Sequence, residues 1–126
     1  MKKISFVSSC YNEEENIDNL YERVMKQAEL FSDRYEFEYI LVDNCSSDNT
    51  AGKLRELAEK DKRVKVILNA RNFGHIRSPY YGMIQADSDA VIYLASDLQD
   101  PPELISDFIK TVSYTHLRAH ETRSNL

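Results

Sequence analysis

The 126-residue chain is poor in glycine, with three, and in cysteine, with two, and it carries no excess of positive charge. Each shortage closes a class of function. No GxGxxG turn and no GxxxxGK[ST] loop occurs, so a dinucleotide-binding reading fails. The first loop, SSCYNEEEN, is rich in side chains instead and must grip any ligand with them. Cys10 and Cys45 show no CxxC spacing and no secretory leader precedes them, which fits a reducing cytosol and small buried thiols, not a disulfide framework. A formal net charge of −5, with acids and bases interspersed, offers no basic patch for a nucleic-acid backbone, and no nucleic-acid partner is expected. No run approaches the roughly 20 apolar residues of a membrane span. The chain reads as soluble, with a role at a membrane surface left open. Its length fits one domain and is short for a complete α/β enzyme.

What is present is an alternation. KISFVSS reads as a strand, and Ile17, Leu20, Tyr21, Val24, Ala28 and Phe31 then recur at helical spacing, with Glu13, Glu14 and Glu15 near the positive end of that helix. EFEYILVD is a second strand, followed by the cap candidates Ser46, Ser47 and Asp48 and a helix with the stripe Ala51, Leu54, Leu57 and Ala58. VKVIL is a third strand, with a helix expected from about Ser78-Pro79. AVIYLAS is a fourth, and Pro101-Pro102 opens a helix with Leu104, Ile105, Phe108 and Ile109 expected inward. Such alternation implies a parallel sheet with right-handed crossovers and helices on both faces, with ligands at the carboxyl ends of the strands. Polar clusters stand at all four ends: Ser9, Tyr11 and Asn12; Asp43 and Asn44; Arg71 and Asn72; Asp97 and Gln99.

Asp97, Gln99 and Asp100 supply hard oxygen ligands of the kind a divalent cation bridging a diphosphate requires. Asp is equally a leading cap residue; Asp100, beside the prolines, reads as the cap and Asp97 as the metal ligand. Asp43 and Asn44 can accept hydrogen bonds from a base edge such as the imide N–H of uracil, and an Asx turn is the other reading of Asn44. Tyr11 suits stacking on a base or half-burial under its loop. Arg71 has a guanidinium fork that fits phosphate, or it is a solvated surface arginine. His75 has no partner to orient its imidazole and is assigned no chemistry. His116 and His120 have i, i+4 spacing but no third ligand for zinc.

With these residues in view, the sequence resembles the family 2 glycosyltransferases, whose nucleotide-sugar-binding domain has the α/β fold called GT-A. The matching stretches are SSCYNEEENI, ILVDNCSSDNT, ARNFGH and SDLQDPPELI, in family order within residues 1–112. The last is similar to the branch that includes dolichyl-phosphate mannose synthases and bacterial polyprenyl-phosphate sugar transferases. The resemblance implies a Rossmann-like GT-A domain, truncated to its donor-binding part. It places Ser9, Tyr11 and Glu13 on nucleotide-contacting positions and Asp43 and Asn44 on the base-binding pair; Arg71 and Asn72, after the third strand, are the further nucleotide-binding candidates. Asp97 falls on the last acid of an Asp-x-Asp element, as catalytic and metal-binding residue, and Gln99 assists at a divalent cation, Mg²⁺ or Mn²⁺. The chain departs from the pattern at Asn44, where a second acid is common, and at Ala95, where the first acid of Asp-x-Asp stands.

The activity so implied is inverting, metal-assisted transfer of a sugar from a nucleotide-diphosphate sugar, UDP ahead of GDP, to a polyprenyl-phosphate or saccharide acceptor. Its setting is cell-wall or polysaccharide biosynthesis in the cytoplasm, at the inner face of the membrane in the complete protein. The alternative is a domain that holds a nucleotide sugar without turnover, which Ala95 and the short length both permit. A nucleotidyltransferase would need a glycine-rich, basic first loop, which SSCYNEEEN is not. After Val112 the run SYTHLRAHETRSNL abandons apolar periodicity and reads as a foreign tail over 113–126, leaving 1–112 as the domain.

Overall fold

The β-branched apolar stretches pair into a single sheet. In the computed structural model, β1 (Lys2–Cys10), β2 (Tyr35–Asp43), β3 (Val64–Leu68) and β4 (Ala90–Tyr93) lie in the order β3-β2-β1-β4. The structure describes residues 2–72, 85–94, 96 and 101–114, with side chains to Thr111. Every neighbouring pair is parallel: Ile4 lies opposite Phe37 and Ala90, Cys10 opposite Asp43, and Tyr39 opposite Val64. Parallel neighbours need crossovers, and α1 (Ile17–Glu29) and α2 (Thr50–Lys60) supply the first two. A 3-10 turn (Pro102–Leu104) then leads into α3 (Ile105–Tyr114). The expected helix near Ser78 and the residue His75 lie outside the described residues.

Successive strand residues face opposite sides, and both sides are apolar, which is why β2 reads as a nearly unbroken hydrophobic run. One face, built on Ile4, Phe6, Phe37, Tyr39 and Leu41, receives Ile17, Leu20 and Val24 of α1, Leu54 and Leu57 of α2, and Ile105 and Ile109 of α3. Phe6 stacks on Phe37 with ring centroids 5.5 Å apart. On the other face Val7, Ile40 and Val42 form a smaller buried cluster with Ala86.

Three expectations change. Leu104 and Phe108 do not face inward: they are 44% and 53% exposed, while Ile105 and Ile109 are fully buried. The 3-10 turn at the prolines sets the phase, and the Ile105–Ile109 row lies on the core side, fastened by Ser106 Oγ donating to Gln27 Oε1 and by Arg23 Nε donating to Glu103 Oε2 at 3.0 Å. β4 ends at Tyr93, short of Ser96, because its ladder with β1 covers only Ile4 to Val7, although Leu94 N still donates to Val7 O at 2.9 Å. Cys10 is buried as expected, but Cys45 is exposed, and both thiols are free. Helix α3 runs to Tyr114. The chain steps from β1 to β2 to β3 on one side of β1 and returns to β4 on the other, so the topological switch point lies between β1 and β4, where open α/β sheets bind ligands.

Candidate functional site

At the carboxyl edge Cys10 and Asp43 sit opposite each other, and the chain leaves both strands through polar loops. Backbone bonds continue past the strand ends: Asn44 N donates to Cys10 O at 2.8 Å and Asn69 N to Asp43 O at 2.9 Å. Each loop turns on a left-handed residue, Asn12 (φ 52°) and Cys45 (φ 61°). Asn tolerates that region better than most residues. The two loops are then stapled together by side chains. Asn12 Oδ1 accepts from Ser47 N at 2.9 Å, Ser47 Oγ at 3.3 Å and Asp48 N at 3.4 Å. Asn12 N donates to Ser46 Oγ at 2.9 Å, and Glu13 N to Thr50 Oγ1 at 3.0 Å. Glu14 bonds to the second loop twice: its N donates to Asp48 Oδ2 at 3.3 Å, and its Oε1 accepts from Asn49 N at 3.0 Å, at the start of α2. Slight desolvation of Asp48 is outweighed by bonds from Thr50 and Glu14, which hold its carboxyl below its ordinary value.

Ser9 is half-buried at the end of β1, and its carbonyl accepts Ser96 Oγ at 3.0 Å, tying β1 to the segment after β4. Tyr11 is 47% exposed. Glu13 Oε2 accepts from Asn16 Nδ2 at 2.8 Å. Asp43 is buried, and its carboxylate accepts both the backbone N–H, at 3.4 Å, and the hydroxyl of Ser46. Asp43 therefore holds this turn through the residue three positions on, and Asn44 directs its amide to the third loop instead of an Asx turn. Asn44, also buried, bridges to the third loop: its Nδ2 donates to Asn72 Oδ1 at 2.9 Å and its Oδ1 accepts from Asn69 Nδ2 at 3.2 Å. Arg71 is exposed on that loop. Seven candidates therefore share one edge of the sheet, whereas Asp97 and Gln99 lie outside the described residues. Asn12, Asn69 and Ser46, the last a turn and cap candidate from the sequence, also belong to this network, and the density of Ser, Asn and Asp in DNCSSDNT is the signal that points to it.

Cys10 is no nucleophile. Burial, reinforced by the charges of Asp43 and Glu13 and only partly offset by a bond with Ser96, pushes its thiol up to about 12, so it stays protonated. Between the loops lies a depression of about 410 Å³ lined by Asn12, Glu13, Glu14, Glu15, Asn16 and Asp48. Four carboxylates in that lining repel a phosphate. Among the described residues no three His, Cys, Asp or Glu side chains converge as metal ligands, and no helix is long and apolar enough to cross a membrane.

A parallel sheet of this order, carrying side-chain-rich loops at its switch point where glycine-rich phosphate loops would otherwise stand, is an α/β domain of the GT-A type. The chain belongs to the family described as Glycosyl transferase family 2, which matches residues 5–117, running past Val112. The undecaprenyl-phosphate 4-deoxy-4-formamido-L-arabinose transferase of Proteus mirabilis is 43% identical over 112 residues, covering 88% of this chain and 34% of that protein. The uncharacterized glycosyltransferase YkcC of Bacillus subtilis is 39% identical over 106 residues, covering 84% of this chain and 32% of its own length. Among solved structures, S. aureus TarS 1-349 in complex with UDP superposes with a TM-score of 0.72 at 27% identity, covering 90% of this chain and 33% of that one. The chain thus spans about a third of the length of the curated relatives it matches.

Proposed function

We propose that this edge binds the nucleotide diphosphate of a sugar donor, and that the complete protein transfers the sugar, with inversion, to a polyprenyl-phosphate acceptor. The observation that carries the reading is that Tyr11, Asp43 and Arg71 stand at the carboxyl ends of three neighbouring parallel strands, β1, β2 and β3, on one edge of the sheet. Tyr11 offers an exposed ring to a base, and a carboxylate oxygen of Asp43, with Asn44 beside it, accepts the imide N–H of uracil. Ser9 and Glu13 line the ribose side. The acidic depression excludes the diphosphate, which is drawn to Arg71 and Asn72 on the third loop. UDP is preferred to GDP, in keeping with the nucleotide named in the TarS complex.

Asp97 and Gln99 are the hard oxygen donors left to hold a Mg²⁺ or Mn²⁺ ion, which supplies charge neutralisation on the departing diphosphate. A polyprenyl phosphate, the kind of acceptor named for the Proteus relative, is already anionic and needs little help from a base. A saccharide acceptor would need a general base beyond Val112. A lipid-linked acceptor puts the work at the cytoplasmic face of a membrane.

Thermal shifts with UDP, GDP, CDP and ADP, each with and without Mn²⁺, test the donor site. A ligand at 100 times its dissociation constant adds about 2.7 kcal/mol to stability. Stabilisation by UDP is expected; a cooperative melt that no nucleotide moves refutes the reading. In the complete protein, donor turnover with polyprenyl phosphate that disappears in Asp97→Ala supports transfer, while binding without turnover identifies a non-catalytic holder.

A further inference from the structure

The hydroxyl of Ser46 stands between two groups that the proposed donor site needs in fixed positions. It donates to the carboxylate of Asp43 and accepts the backbone N–H of Asn12 at 2.9 Å, the residue next to Tyr11. Its own backbone N–H points at the same carboxylate, 3.4 Å from both oxygens. A hydroxyl can donate once and accept at the same time, so this one group relays the position of the first loop to the carboxylate of the second. Asp43 is 4% exposed, and the left-handed Cys45 between it and Ser46 folds the chain back over it.

Resting on the nucleotide-binding reading above, we infer that Ser46 is a positioning residue for base selection: it aims the Asp43 carboxylate at an imide N–H and ties that aim to the loop that carries Tyr11. With the hydroxyl removed, the carboxylate loses its side-chain donor, and the Asn12 N–H loses its acceptor. Uracil presents a donor at its ring imide where cytosine presents a lone pair. A well-aimed carboxylate therefore favours UDP over CDP, and a loosely held one does so less. This outcome differs from simple loop damage, which weakens both ligands alike.

Calorimetric titration of the full chain with UDP and with CDP, for wild type, Ser46→Ala and Ser46→Thr, tests the inference. Affinity for UDP is expected to fall about tenfold in Ser46→Ala, as for loss of one bond to a charged group, with CDP little changed and threonine restoring the preference. Ser47→Ala, whose hydroxyl touches Asn12 Oδ1 but makes no bond to Asp43, should keep the wild-type ratio. If the alanine variant fails to melt cooperatively, Ser46→Cys, similar in shape but a weak donor, reads the same ratio. Parallel loss of both ligands, or an unchanged ratio, overturns the assignment. A wild-type chain that binds no nucleotide overturns the donor-site reading itself and this role with it.

Discussion

Asn12 is where the strength of the loop staple can be measured. Its carboxamide oxygen accepts three donors from the second loop, one at 2.9 Å and two long, at 3.3 and 3.4 Å, and its backbone is left-handed at φ 52°. The short bond contributes about 1 kcal/mol net and the long ones little more, because water can replace them at this exposed position. A non-glycine residue without a locally bonding side chain pays about 1–2 kcal/mol in that backbone region, part of which Asn already pays. Asn12→Ala should therefore cost about 2 kcal/mol. Asn12→Gly loses the same bonds but sheds the backbone strain, while its freer unfolded chain costs about 0.5–1 kcal/mol, for a total near 1 kcal/mol. Urea unfolding followed by far-ultraviolet circular dichroism gives both values from the midpoints at constant m. Glycine as costly as alanine would refute the strain argument, and two neutral variants would refute the staple.

Tyr11→Ala should weaken UDP binding by about 1–3 kcal/mol if the ring stacks on the base; an unchanged titration removes Tyr11 from the site. At the opposite edge, bonds from Arg63, opposed by partial burial and assisted by the Tyr21 hydroxyl, hold Asp61 well below the usual carboxylate range. Its folded pKa lies below its unfolded value, so its stabilisation is complete above about pH 4 and is lost on acidification below that. Asp61→Asn should flatten the acid limb of melting temperature against pH, and an unaltered limb would show that the carboxylate is not held this way. On α3, Ile109→Ala should cost about 2–5 kcal/mol by denaturant unfolding. Phe108→Ala, at a position 53% exposed, should cost under about 1 kcal/mol, and the reverse order would put the helix in its other phase.

The helix stripes of α1 and α2 and the apolar run of β2 are legible because period and composition are local, and local spacing decides which side of an element is apolar. The inner face of α3 was not, since LISDFI carries two overlapping i, i+4 pairs, Leu104–Phe108 and Ile105–Ile109. Only the packing of the proline turn against α1 selected the second pair. The edge of the sheet that gathers Tyr11, Asp43 and Arg71 also follows from the chain, because strand-helix alternation compels a parallel sheet whose loops share one end. Which partner each loop side chain meets does not follow. Asn12 reaches Ser46 across 34 positions and Glu13 reaches Thr50 across 37, contacts that exist only once Cys10 stands beside Asp43 in the parallel register. The four strands in a parallel sheet, the helices α1 and α2 and the edge that carries the polar loops follow from local period and connection in the sequence. The tertiary structure alone decided the phase of α3, the bridge from Asn44 to the third loop and the relay through Ser46, because hydrogen bonds between residues distant in the chain depend on register and packing, which no local pattern encodes.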